Sequence, residues 1–145
     1  MWPEAEASSK VNIPINQAWE TYIDDLEKWW PASMYTSPET KQFVMEKKLG
    51  GLIYEDHGDG CGLVWGTIIG MRKPYQLLIK GTLSKEFGGP ATTIEKVSFT
   101  EAEGSTEVTY RIDFVGVVDH KTKLSLRDGW KMILQEHYKP YCEKL

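Results

Sequence analysis

Cysteine, histidine and surplus positive charge are all in short supply in this sequence. The two cysteines, Cys61 and Cys142, are far apart and have neither the paired spacing of a zinc site nor the density of a disulfide scaffold. Three histidines fall into no Ser/His/Asp or Cys/His order, so nucleophilic catalysis has no support here. Lys and Arg number 17 against 21 Asp and Glu, a net charge of −4. No segment gathers the cations that a phosphate backbone attracts, which argues against nucleic acid as a partner. Long apolar runs are missing as well. The longest uncharged one, Leu63 to Met71, is broken by Gly66 and Gly70 and falls well short of the roughly 20 residues a membrane helix needs. The opening MWPEAEASSK is acidic where a signal peptide is basic and then apolar. A cytoplasmic chain with free thiols, no cofactor and no metal is therefore expected.

Aromatic residues are plentiful. Six Trp and seven Tyr in 145 residues exceed the needs of an ordinary core, and their polar tips want partners when buried. The surplus points to a lined cavity or a contact face. The length suits one domain, 1–145, able to bury roughly 68–70% of the surface its unfolded chain exposes.

Periodicity gives an order of elements. Residues 4–13 predict a strand ending at Ile13-Pro14. Asn16 is a plausible N-cap for a helix carrying Trp19, Tyr22, Ile23 and Leu26, and a second short helix stops near Trp30-Pro31. From Lys41 to Phe114 strands alternate with turn signals at Gly50-Gly51, Gly58-Asp59-Gly60, Lys73-Pro74, Gly88-Gly89-Pro90 and Glu103-Gly104. Leu77, Ile79, Gly81 and Leu83 share one face of their strand, as do Val108, Tyr110, Ile112 and Phe114 of a later one. In the strand at 61–71, Leu63, Trp65, Thr67 and Ile69 share one parity and Val64, Ile68 and three glycines the other, a mark of bulges or a strong bend. The last segment reads as a helix with a stripe of Leu126, Trp130, Ile133, Leu134, His137 and Tyr141. Its cap could be Ser125, Thr122 or Asp119, and Pro140 should bend or end it. The sum is an α+β domain of about seven antiparallel strands gripping one long C-terminal helix, with two short helices after the first strand.

Three stretches, IPINQAWETYIDDLEKWWP, GGLIYEDHGDGCGLVWGTIIGMRKPYQLLIKG and GWKMILQEHY, resemble the START-like helix-grip (SRPBCC) superfamily, the fold of the birch-pollen allergen. The branch most similar is that of the activator of Hsp90 ATPase. Gly51, Tyr54 and Glu55 fit its GG-x-x-Tyr-Glu strand, Trp65-Gly66 its Trp-Gly step, Pro74 and Leu77 its Pro-x-x-Leu hairpin, and Gly129-Trp130 its helix start. Lys80-Gly81 departs from a common Thr-Trp, which would enlarge the pocket. The resemblance implies a hydrophobic cavity between sheet and helix for a small hydrophobic or amphipathic molecule. Its walls would include Trp30 from the second helix, and Ile53, Glu55 and Trp65 from the first hairpin. Leu77 and Ile79, then Tyr110, Ile112 and Phe114, would follow from later strands, and Trp130, Ile133, Leu134 and His137 from the helix. A cyclase- or hydratase-type enzyme using Glu55 or His137 is the alternative, and a co-chaperone module ranks last. A monomer or homodimer is expected.

Individual residues admit plainer readings. Strand parity alone does not decide whether Glu55 faces in or out. Lys80 and Arg111, its conceivable partners, fall on outward positions. His57, Asp56, Asp59 and Cys61 read as a hairpin turn rather than a metal site. Of Trp29 and Trp30, one is expected in the core and the other at a cavity mouth, because neighbouring helical residues point about 100° apart. The segment 84–91 reads as a surface loop, or alternatively as a hinged gate.

Overall fold

The computed structural model describes residues 5–145. Seven strands form one antiparallel sheet in the order β1-β7-β6-β5-β4-β3-β2. They are β1 Ala5–Val11, β2 Gln42–Met45, β3 Leu52–Gly58, β4 Cys61–Arg72, β5 Gln76–Leu83, β6 Ala91–Ala102 and β7 Ser105–Gly116. The first strand of the sequence reading, 4–13, is thus shorter, and Glu4 lies outside the described residues. Between β1 and β2 lie helix α1, Ile15–Asp24, helix α2, Leu26–Trp29, and a 3-10 turn, Ala32–Met34. The chain closes with α3, His120–Met132, a π-helical stretch, Ile133–Tyr138, and α4, Lys139–Glu143, which together make the C-terminal helix.

Two tight turns fix the hairpin register. Asp59 and Gly60 connect β3 to β4, Glu103 and Gly104 connect β6 to β7, and all four have positive φ. Such two-residue turns match the right-handed twist of the strands they join. Asp59 therefore serves backbone geometry, and among the described residues no group of His, Cys, Asp and Glu could hold a metal ion.

Strand β4 departs from simple alternation twice. Ile53 pairs with Gly66 while Tyr54 pairs with Val64, which leaves Trp65 as an extra residue, and a second shift leaves Ile69 unpaired between Ile68 and Gly70. A bulge re-aims side chains and bends its strand. The grouping of Leu63, Trp65, Thr67 and Ile69 on one face is accordingly corrected. Ile68 is fully buried while Ile69 is exposed.

The helices also correct details. Pro14, not Asn16, occupies the cap position of α1, and the Glu101 carboxylate accepts the Ile15 N–H at 2.9 Å from β6, an anion where the helix dipole favours one. Asp119 caps α3, its Oδ1 accepting the Thr122 N–H at 2.7 Å. The helix passes through Pro140 rather than ending there, because the wider π turn directly ahead of it leaves room for the ring. That extra residue per turn also shifts the apolar stripe. Tyr138 and Cys142 are fully buried, while His137 and Tyr141 are only half-buried. No described helix is long and apolar enough to cross a membrane.

The aromatic surplus divides into two clusters. Trp19, Tyr22, Trp29, Phe99 and Tyr138 fill the end beneath α1 with centroid separations of 4.9–5.6 Å. Two of their polar tips bond to α1: Tyr138 Oη donates to the Ala18 carbonyl at 2.7 Å and Trp29 Nε1 to the Thr21 carbonyl at 3.0 Å. Trp30, Phe43, Trp65, Tyr110 and Trp130 form the second cluster. Trp29 and Trp30 are both buried, so neither stands at a mouth.

Candidate functional site

The second aromatic cluster borders two voids. A small inner one of about 30 Å³ lies among α1, α2 and the sheet, against Trp30, Ile53, Ile79 and Tyr110. A larger one of about 450 Å³ opens between the sheet and α3. Leu63, Leu83, Ile112 and Leu126 give it an apolar wall, Phe87 and Ser84 stand at one side and Thr36 at another. Trp65, Glu95 and Trp130 border both voids. Thus Trp30, Ile53, Trp65, Ile79, Tyr110, Ile112 and Trp130 of the expected set lie on cavity walls. Leu77, Phe114, Ile133, Leu134 and His137 border neither; Leu77, Ile133 and Leu134 are packed with no exposed surface.

Glu55 faces inward and has 0% exposure, yet it also borders neither void. Its carboxylate accepts from Thr36 N at 3.0 and 3.1 Å, Thr36 Oγ1 at 3.0 Å, Thr40 Oγ1 at 2.7 Å and Trp65 Nε1 at 2.7 Å. His57 Nε2 stands 3.3 Å away. Burial pushes its pKa up, but the bonds from Thr40, Trp65, His57 and Thr36 outweigh burial and hold the group below the ordinary carboxylate value. Thr36 and Trp65 both border the large cavity. Glu55 therefore ties the 36–40 segment and the bulged Trp65 into the cavity wall. Arg111 pairs with Asp113 at 3.2 Å instead, and Lys80 is exposed.

The acid on the cavity is Glu95, which sequence reasoning did not single out. It lies on β6 among Ala91, Thr93, Val97 and Phe99, all buried at the same parity, and a lone Glu on such a face was the available signal. Tyr110 Oη donates to its Oε1, and Thr93 Oγ1 donates to Oε2 at 2.7 Å. The Tyr110 ring stacks on Trp130 at 3.6 Å with 12° between planes. Glu95 is half-buried and borders both voids. Burial raises its pKa, and the bonds from Tyr110 and Thr93 only partly offset that. Tyr110 is driven well above its ordinary value by burial and then by Glu95.

Gly81 makes this arrangement possible. A Cβ there would stand 2.5 Å from Thr93 Oγ1 and 2.6 Å from Glu95 Oε2. Gly81→Ala is expected to displace both groups and lower the unfolding free energy by about 1–3 kcal/mol, read by urea denaturation.

The segment 84–91 lies on the surface, with Ser84, Lys85, Glu86, Phe87 and Pro90 exposed. Lys85–Phe87 forms one 3-10 turn, and at Gly88, with φ of 99°, a Cβ would lie 2.5 Å from the Thr122 side chain at the start of α3.

The two inward-facing carboxylates should give opposite pH dependences. The raised Glu95 pKa means the folded state holds that proton more tightly. Its contribution is full below the ordinary carboxylate value and is lost as pH rises through the folded pKa. The lowered Glu55 pKa contributes above the ordinary value and is lost as pH falls through the folded one. Denaturation across pH should show Glu95→Gln removing a decline on the higher-pH side only.

A family model described as "Activator of Hsp90 ATPase homolog 1-like protein" matches residues 12–140. The chain belongs to that family. Solved structures share its helix-grip (SRPBCC) fold. CalU16 from Micromonospora echinospora superposes with a TM-score of 0.61 at 14% identity, covering 88% of this chain and 68% of that one. Ara h 8.0201 does so at 0.66 and 12%, covering 97% of each. DynU16, a protein of the dynemicin biosynthetic locus, gives 0.68 at 16% over 96% of this chain, which spans only 46% of DynU16. Among curated proteins none matches significantly. Family and fold are those of a helix-grip domain.

Proposed function

We propose that this member of the family binds a small, largely apolar molecule with one polar end in the 450 Å³ cavity between sheet and α3. The observation that carries the reading is a roomy apolar chamber with a single acidic group, Glu95, at its inner boundary. Its volume falls in the range of about 300–1,000 Å³ common to small-molecule sites. Each 100 Å² of apolar ligand surface buried there contributes about 2.5 kcal/mol, from which the loss of ligand freedom is subtracted. The fold shared with DynU16, from the dynemicin biosynthetic locus, is in keeping with a small-molecule ligand.

Trp65 and Trp130 on the wall provide the test. Titration with decanol and with a naphthalene probe is expected to change Trp emission saturably, and Trp65→Phe should reduce the response. Absence of any saturable change with either probe overturns the reading. A second reading, proton-transfer catalysis, is favoured by the position of Glu95, an acid of raised pKa on a cavity. It requires that Glu95→Gln, rather than Glu55→Gln or His137→Gln, abolish turnover of a substrate once one is found.

A further inference from the structure

The ligand's polar end can be assigned a charge. Among the described residues Glu95 is the only Asp, Glu, Lys, Arg or His on the walls of either void, and none of them brings a cation to it. Its two oxygens each accept one hydrogen bond from the protein, Oε1 from Tyr110 and Oε2 from Thr93. A carboxylate has about four acceptor sites, so two remain. A ligand carbonyl has nothing to donate to them, and a ligand carboxylate would bring a second negative charge into an enclosed site with no counter-ion. A donor-rich, positively charged group satisfies both the remaining lone pairs and the unpaired charge. Around it, Trp65 and Trp130 border the same space, and indole faces attract cations as well as apolar stems.

We infer that the cavity selects organic cations, that is, amphipathic amines whose ammonium group pairs with Glu95 while the apolar body lies against Leu83, Ile112 and Leu126. This rests on the cavity-binding reading and adds charge selection to it. The raised proton affinity of Glu95 in the absence of a cation agrees with an acid that lacks its counter-charge.

Three probes with one chain length separate the possibilities: decylammonium, decanol and decanoate, each measured by calorimetry below its aggregation concentration at neutral pH. Decylammonium is expected to bind about tenfold or more tighter than decanol, with decanoate weakest. Glu95→Gln should remove the amine's advantage and bring decylammonium down to the level of decanol measured on the same variant. Decanol or decanoate binding as tightly as decylammonium to the wild-type protein overturns charge selection while leaving the cavity reading intact. So does an amine preference that survives Glu95→Gln. The order of the three probes on the wild-type protein decides the matter even if the variant does not fold. Failure of all three to bind overturns the cavity reading and charge selection with it.

Discussion

Glu55→Ala is expected to lower the unfolding free energy by about 3–5 kcal/mol, because it removes a buried charge and strands the donors that converge on it. Thr36 N and Oγ1, Thr40 Oγ1 and Trp65 Nε1 would all lose their acceptor. Water reaches the first segment more easily than the indole, so Trp65 should carry the larger share of the penalty. Chemical denaturation reads the loss directly. Limited proteolysis should show the 36–40 segment becoming the first site of cleavage, since Glu55 is what ties it to β3. A loss smaller than about 1 kcal/mol, the scale of an ordinary surface change, would mean that this cluster does not hold the wall. Replacing the exposed Glu107 provides the comparison and should stay within about 0.5 kcal/mol. The result also separates two roles for Glu55. A carboxylate whose partners are all internal acts on the site by positioning Thr36 and Trp65, so the variant's loss of ligand binding should track its loss of stability.

Filling the chamber is expected to have the largest effect on binding. Leu83→Trp places an indole into the 450 Å³ space from the end of β5, where Leu83 is only half-buried. The overpacking penalty of a solid core, about 1–3 kcal/mol, should be largely avoided because the added atoms enter open volume. Affinity for decanol and decylammonium should fall about 100-fold or more, equivalent to roughly 2.7 kcal/mol, with the denaturation midpoint little changed. Unchanged affinity would place the ligand elsewhere. The contrast with Gly81→Ala is informative. That substitution acts on Glu95 and Thr93, so it should impair the amine more than the alcohol, whereas Leu83→Trp should impair both alike.

Much of the architecture was legible because it is written in local periods. The alternation of Leu77, Ile79, Gly81 and Leu83 and of Val108, Tyr110, Ile112 and Phe114 placed those residues on the inner face, where the structure has them. The turn signals Gly58-Asp59-Gly60 and Glu103-Gly104 located both two-residue hairpins. Reading failed where an extra residue changed the phase. The bulge at Trp65 reversed the parity of β4 beyond it, and the π turn at Ile133–Tyr138 moved burial from His137 to Tyr138. The glycines of β4 marked a bulge without fixing its position, and the π turn has no local signature, because the place of each insertion is selected by what the opposite element offers.

The amino-acid order by itself determined the seven-strand layer, the gripping helix and the abundance of aromatic rings available to line a space, since hydrophobic period and turn residues act over a few neighbours. Only the folded packing decided the roles of the two inner glutamates. Residues remote in the chain, Thr36, Thr40 and Trp65, saturate Glu55 and hold it charged in the wall, whereas Glu95 meets just two hydroxyls and an open chamber. Desolvation and hydrogen bonding depend on everything surrounding a group in three dimensions, so identical side chains on two strands of one sheet, β3 and β6, acquired opposite shifts in proton affinity and different work.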